Sequence, residues 1–397
     1  MKKQWILTVI VCAAVLLTAS LHTGYFVSSP DSRVLRVGFV CSEDESTPYT
    51  ANFLQARHDL EEKYGGRIEI LTRSNVLSRD SEVPIQELIR EGCRIVFINM
   101  DTDIPVTMAR ENPGVEFCQI SMPDIGIEGT PENYHTFNGE IWQARYVSGI
   151  AAGMKLRQLI DSGTLRSGEA LVGYVAANSS TEVISGFTAF LLGVRSVAPE
   201  AVMRVRYTGS WSNFNEEKAQ TRQLIEEGCV IIAQHVNTAA PAVVCEEAAS
   251  AGCTVFHVGY HQSMMDVAPS SALVSIRTNW APYILEAVGA VLNGQTIESA
   301  VSAHAHGRDL SAGFENGWVE LLELNRFIAA EGTEDKIAKA VDSLKKGRLK
   351  VFSGNYSGVN PQNPSDVIDL NGGYTENQYS SRPSFGYILQ DCVIVEN

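Results

Sequence analysis

Residues 207–264 read YTGSWSNFNEEKAQTRQLIEEGCVIIAQHVNTAAPAVVCEEAASAGCTVFHVGYHQSM. The stretch divides into an aromatic loop, a helix, a buried strand, a polar turn, a second helix and a second strand. Asn215, followed by Glu216 and Glu217, is the expected N-cap of the first helix, and Gly228 its stop. Val230–Ala233 and Thr254–Val258 are short, continuously apolar runs, the pattern of strands covered on both faces. Strands alternating with helices of this length predict βαβ units and a parallel sheet. Ligands of such sheets sit beyond the carboxyl ends of the strands. Here those ends carry Gln234–Thr238 and Gly259–Gln262.

Working outward, the same unit occurs earlier in the chain. Residues 85–99, IQELIREGCRIVFIN, match residues 221–235, TRQLIEEGCVIIAQH, at a constant offset of 136. That period is too long for a solenoid and suits two similar α/β lobes. Two lobes whose strand ends face each other enclose a cleft. The expected fold class is therefore α/β, with two doubly wound parallel-sheet lobes joined by a multi-strand hinge. The first lobe is expected to take residues 35–139 plus about 258–300, and the second 140–257 plus about 301–397. The chain then crosses near residues 139, 258 and 300. Further strands are expected at Arg348–Ser353 and Tyr387–Val395, with a loop-like tail over Asn355–Ser384. The small residues Gly149, Ala151, Ala152 and Gly153 suit a helix that packs closely on a neighbour.

The 397 residues hold ample material for two cores. A net charge of −15 argues against a nucleic-acid partner and against a basic membrane-surface protein. Lys2 and Lys3 precede an apolar run from Trp5 to Leu21, so residues 1–24 read as a signal peptide or N-terminal anchor. That places the remainder outside the cytoplasm, in a periplasm or held to the outer face of the cell membrane. Eight cysteines include Cys12 in the leader. The other seven show no C-x-x-C pair and no zinc spacing, and are expected to be buried thiols, with a Cys245–Cys253 bridge open but not demanded.

No P-loop, G-x-G-x-x-G, G-x-S-x-G or H-E-x-x-H occurs, so neither an enzyme nor a cofactor is expected. His257 and His261 straddle a strand end and a turn rather than one helix face, so no metal site is expected either. What the loops do carry is aromatic and amide chemistry. Tyr49, Trp142, Trp211, Tyr260 with His261, and Trp280 lie near strand ends or helix starts, and Asn237 follows a strand. Such a set suits a flat ligand with polar edges, held between rings. The alternative is that each ring fills its own lobe. Trp211 and Tyr49 fit that least, because neither belongs to an apolar helical stripe.

Several of these segments carry a family resemblance. They are YVSGIAAG (146–153), YTGSW (207–211), GCVIIAQH (228–235), GYHQSM (259–264), NWAPY (279–283) and GRLKVFSG (347–354). In their content and order, over roughly residues 35–396, the chain resembles the basic membrane protein (BMP) family of ABC-importer solute-binding proteins, with a type I periplasmic-binding-protein-like fold. The resemblance implies capture of a purine nucleoside or, in the branch with a Ser-Trp turn, an adenine-like base. By position, Tyr49 and Trp211 would stack on the base, and Asn237 and His261 would make polar contacts. Asn99 and Asp101 would line the first lobe's strand end, while Asn279 and Trp280 would close the cleft near the hinge. Trp142 joins this ligand-binding set as an aromatic early in its helix.

Two departures bear on the ligand. Where nucleoside-binding members carry an Asp-Asn-Phe cluster, this chain has SEDESTPY (42–49), and His261 stands where an aspartate for ribose is usual. Both weigh against a ribose and favour a bare base or a different flat solute. Cys12 lacks the small preceding residue of a lipidation site, which favours a plain signal or a retained anchor. The implied partner is an ABC permease in the membrane, and the protein is expected to be a monomer. The alternatives are a membrane-anchored sensory or regulatory ectodomain of the same fold, and another flat solute such as a flavin.

Overall fold

The computed structural model describes residues 34–121 and 128–396. The expected leader, residues 1–24, lies outside them. Among the described residues no helix is long and apolar enough to cross a membrane.

The chain begins with β1 (Leu35–Val40), α1 (Pro48–Tyr64), β2 (Ile68–Arg73), α2 (Glu82–Arg90), β3 (Cys93–Ile98), α3 (Ile104–Glu111), β4 (Glu116–Ile120) and β5 (Tyr134–Gly139). The long helix α4 (Ile141–Asp161) leads to β6 (Leu171–Ala176), α5 (Thr181–Arg195), β7 (Val202–Tyr207), α6 (Phe214–Glu226) and β8 (Ile231–His235). Then come α7 (Ala240–Ser250), β9 (Phe256–Tyr260), β10 (Ala272–Thr278), α8 (Ala281–Asn293), α9 (Ile297–Ala300), β11 (His304–His306), β12 (Asp309–Ala312) and β13 (Val319–Leu321). The tail adds α10 (Thr333–Lys345), β14 (Ser357–Asn360), β15 (Asn363–Asp369), β16 (Ile388–Leu389) and β17 (Val393–Glu396).

Two seven-stranded sheets result, in the orders β11-β12-β5-β4-β3-β1-β2 and β13-β10-β9-β8-β6-β7-β17. Pairing within them is parallel except at the edge strands β11 and β13. The sequence repeat is thus structural, since β5-β4-β3-β1-β2 and β10-β9-β8-β6-β7 follow the same order. Strand order reverses between β1 and β3, and again between β6 and β8. Each reversal opens a crevice at the carboxyl ends of those strands.

The crossings differ in part from the sequence expectation. The chain passes between sheets at 139–141, at 278–281 and at 312–319. The crossing expected near 258 falls after β10 because β9 and β10 are neighbours in the second sheet. The one expected near 300 falls later because β11 and β12 extend the first sheet beside β5. Consecutive buried strands look alike whether or not the chain changes lobes, so composition cannot mark the switch. The crossings pack side by side: a Cβ on Gly139 would lie 2.5 Å from Thr278 Cγ2 and 3.0 Å from the Trp318 carbonyl oxygen.

Smaller corrections arise from local chemistry. Asn213, not Asn215, caps α6, its Oδ1 accepting from the Glu216 amide at 3.1 Å. Residues 348–353 form no strand, whereas the tail beyond them, expected as loop, holds the β14–β15 hairpin. The last expected strand is two, β16 and β17, separated by a turn at Asp391 with φ +63°. All seven cysteines of the described chain are free thiols; Cys253 is exposed and the others buried.

Candidate ligand-binding cleft

The two crevices face each other across a cleft of about 610 Å³. The first lobe contributes Ser42 and Glu43 after β1, Tyr49 at the start of α1, and Asn99 to Asp101 after β3. The second contributes Asn178, Ser180 and Glu182 after β6, Trp211 after β7, Asn237 after β8, and Tyr260 with His261 at the end of β9. Thr278 and Trp280 of the second crossing close the hinge side.

Several of these side chains are held by bonds that fix their orientation. The Tyr49 hydroxyl donates to the Asn99 carbonyl at 2.8 Å, and its ring meets that of His261 edge-on, with centroids 5.2 Å apart. Asn99 Oδ1 accepts from the Ser42 amide at 3.0 Å, tying the ends of β1 and β3 together. His261 has a left-handed backbone with φ +72°, uncommon for a residue with a Cβ. Its ring stacks on Tyr260 at 3.6 Å, and Nε2 lies 3.1 Å from Asn237 Oδ1. Since the amide oxygen only accepts, Nε2 carries the proton and Nδ1 is left as an acceptor. The Asn237 amide in turn donates to the Trp211 carbonyl at 2.7 Å. Between lobes, Asn52 Nδ2 donates to the Thr278 carbonyl at 2.9 Å.

Among the described residues the cleft wall contains no lysine or arginine and three acids, Glu43, Asp101 and Glu182. Arg145 of α4 lies behind the wall, fully buried, with its guanidinium 4.0 Å from the Tyr260 ring centre and Nη1 donating to the Gln234 carbonyl at 2.6 Å. Burial, reinforced by that cation, holds His261 well below the usual imidazole range, so its ring is neutral at physiological pH. Burial pushes the Glu182 carboxyl up to about 7, with Arg145 opposing the shift. Its side chain is nonetheless only half-buried, because it borders the cleft. Asn99 Nδ2, Trp280 Nε1, His261 Nδ1, Ser180 Oγ and Ser212 Oγ are buried without a protein partner. A buried polar group left unpaired costs about 1–3 kcal/mol, so these atoms are suited to a ligand's edges.

Seven of the nine residues singled out in the sequence come together here: Tyr49, Asn99, Asp101, Trp211, Asn237, His261 and Trp280. Trp142 and Asn279 do not line the cleft. Trp142 donates Nε1–H to Asn377 Oδ1 at 2.7 Å and packs on Phe352, joining α4 to the tail. Asn279 bonds the Gly317 carbonyl and Glu320 at 3.1 and 2.9 Å, fastening the second crossing to the third. Asn178, Ser180 and Glu182 were not singled out. The repeat could have found them, because β6 begins 136 residues after β1 and Asn178 is thereby the counterpart of Ser42.

One cluster of possible metal-ligand geometry lies away from the cleft. Donor atoms of Glu140, His304 and Glu315 fall within 4.8 Å of one another. Glu140 is already engaged by His304 Nδ1 at 2.8 Å, Ser311 Oγ at 3.0 Å and Gln143 Nε2 at 2.7 Å.

Comparison with known proteins bears on the same arrangement. A purine-binding protein of Brucella abortus (strain 2308) is 27% identical over 325 residues, 81% of this chain and 83% of that protein. A putative ABC transporter glucose-binding protein of Haloferax volcanii is 27% identical over 305 residues, 76% of this chain and 69% of that protein. Among solved structures, an ABC transporter solute-binding protein of Conexibacter woesei superposes with a TM-score of 0.59 at 16% identity, covering 79% of this chain and 97% of that one. At that identity the likeness concerns the fold alone. The family model described as "ABC transporter substrate-binding protein PnrA-like" matches residues 39–347, and the chain belongs to that family, Bmp.

Proposed function

We propose that the protein captures a purine base or nucleoside, with a bare adenine-like base favoured, and presents it to an ABC permease. The observation that carries this reading is the composition of the cleft wall. Aromatic faces at Tyr49, Trp211, Tyr260 and Trp280 alternate with amides, and no lysine or arginine lies among the described lining residues. Flat rings gain from stacking and from burial together. A phosphorylated nucleotide would bring negative charge against an acidic wall with no lysine or arginine among its described residues to receive it, so the wall favours an uncharged solute. The purine-binding relative points the same way.

In this reading Tyr49 and Trp211 take the two faces of the base, and Asn99, Asp101, Asn237 and His261 meet its edges. Contacts to both lobes exist together only when the lobes are closed, so binding shifts the population toward closure. No bond is made or broken. Trp142 and Asn279 support the cleft from behind, through the tail and the crossings.

The test is thermal unfolding of purified protein, stripped of carried-over ligand, with adenine, guanine, adenosine, guanosine, riboflavin and glucose. A ligand at about 100 times its Kd stabilises by about 2.7 kcal/mol, a rise of several degrees in Tm. The reading expects adenine to exceed adenosine. Glucose is the second candidate because a putative glucose-binding relative is also 27% identical, over a shorter span. A rise with glucose and none with any purine would transfer the assignment to sugars.

A further inference from the structure

Glu182 stands apart from the other acids of the cleft. Glu43 accepts from the Thr47 hydroxyl at 3.1 Å, whereas no hydrogen bond or ion pair among the described residues engages the Glu182 carboxyl. It borders the cleft from the first turn of α5, at the carboxyl end of β6, in the crevice where the second sheet reverses its strand order. Among the other unpaired groups of the wall, Asn99 Nδ2 and Trp280 Nε1 only donate, His261 Nδ1 accepts, and the Ser180 and Ser212 hydroxyls can do either. Glu182 adds a carboxyl to this set, which accepts and, when protonated, also donates.

What it reads depends on its protonation. An ionised carboxylate offers two acceptors and complements two adjacent N–H donors, as on the N1–H and 2-amino edge of guanine. A neutral carboxylic acid offers one donor and one acceptor, and complements a ring nitrogen beside an exocyclic amino group, as in adenine. Charged and titratable groups around Glu182 come from several elements. Arg145 of α4 favours the ionised form. The phenols of Tyr49 on α1 and Tyr260 on β9 are pushed upward by burial and stay neutral. His261 and His235 are held neutral by burial and by Arg145. Glu43 and Asp101 also line the cleft, from the first lobe. A flat ligand that covers the carboxyl removes its remaining water and disfavours ionisation further.

We propose that Glu182 is the residue that reads the base edge in this cleft, and that it does so as a neutral carboxylic acid, selecting a 6-aminopurine over a 2-amino-6-oxopurine. This rests on the purine reading above and adds to it the residue and the proton that set the choice. One O–H···N bond and one N–H···O bond form together, and the base binds without a net charge in the site.

The experiment is calorimetric titration of the full protein with adenine and with guanine between about pH 6 and about pH 8.5, for the native protein, Glu182→Gln and Glu182→Ala. Binding that requires the protonated carboxyl weakens by up to about tenfold per pH unit above the point where Glu182 ionises. The native protein is therefore expected to lose adenine affinity as pH rises. Glu182→Gln reproduces the donor and acceptor of the neutral acid, so adenine binding is expected to persist and its dependence on pH to vanish. Glu182→Ala is expected to weaken adenine at least tenfold at pH 6. Adenine binding that is flat with pH and indifferent to Glu182→Ala overturns this proposal while the purine reading stands. Guanine bound more tightly than adenine, and lost in Glu182→Gln, overturns it in favour of an ionised reader. Failure of every purine to bind removes both proposals together.

Discussion

At the residue scale the cleft depends on a few rings whose positions are set by hydrogen bonds rather than by packing alone. Tyr49 and His261 are held in this way, whereas Trp211 is placed by packing and by its backbone. It lies after β7 in a Gly-Ser-Trp-Ser turn, packs partly against the second lobe's core, and keeps a face toward the cleft. Replacing it by alanine removes one stacking face and leaves the Trp211 carbonyl, which orders Asn237, in place. Purine affinity is expected to fall about 10- to 100-fold, which is about 1.4–2.8 kcal/mol, with little change in Tm of the free protein. Equal affinity in Trp211→Ala, measured by calorimetry, would take this ring out of the site. Tyr49 and Trp211 were legible as cleft-lining residues because one opens a helix right after a strand-end loop and the other lies in a loop, and neither belongs to an apolar stripe. Trp142 and Asn279 misled for opposite reasons. Trp142 is served by Asn377, more than 200 positions away, and Asn279 is spent on joining two crossings. Glu182 gave no local signal at all, because a glutamate in the first turn of a helix is what the helix dipole favours anyway.

The elements that hold these residues were more legible than the residues themselves. Apolar runs marked β1, β3, β8 and β9, though not β5, β11 or β12, and the repeat at offset 136 pointed to two similar lobes, which the structure shows to share a strand order. The close packing of α4 was also readable, from its small residues. In the structure a Cβ on Gly149 would meet the Phe190 carbonyl oxygen at 2.1 Å, and one on Gly193 would meet the Tyr146 carbonyl oxygen at 2.0 Å. The contact is backbone against backbone, so neither helix can yield by turning a side chain. Gly149→Ala is expected to force α4 and α5 apart at a cost of about 1–3 kcal/mol, a loss of several degrees in Tm. An unchanged Tm would show that the pair can separate freely. Because α4 also carries Arg145, the same substitution is expected to weaken ligand binding through the ring of Tyr260. What composition did not reveal was the tail. The β14–β15 hairpin is built from Asn, Ser, Pro and Asp with few apolar residues, so its pairing rests on backbone bonds and on packing against the second lobe. Neither of those shows as periodicity.

For the molecule as a whole, that tail bonds to both lobes and is expected to restrain how freely they part. The family match ends at residue 347, and the remaining residues cross the hinge region as a strap. On the second lobe the strap is anchored by Glu376, which accepts from Ser185 Oγ of α5 at 2.5 Å, by Asn377 on Trp142, and by the buried ring of Phe385. On the first lobe Ser381 donates its amide to Asp309 Oδ2 at 2.7 Å, and its hydroxyl meets that of Ser121, a cleft-lining residue. The strap continues into β16 and β17 and therefore moves with the second lobe. Rotation about the three crossings must then break the Ser381 contacts while sparing those of Glu376. A hydrogen bond to a carboxylate is worth about 1.5–3 kcal/mol, enough to shift the ratio of closed to open forms roughly tenfold or more. Asp309→Asn leaves the Ser381 N–H with an uncharged acceptor at most, so the charge-assisted part of that contribution is lost. Solution scattering is expected to show a larger radius of gyration for the ligand-free variant than for the native protein, and saturating ligand to restore the native value. Affinity should fall by the factor by which the closed form is depleted, since ligand must first recover that population. If scattering and affinity both match the native protein, closure is governed by the crossings and the ligand alone, and the strap only covers the hinge.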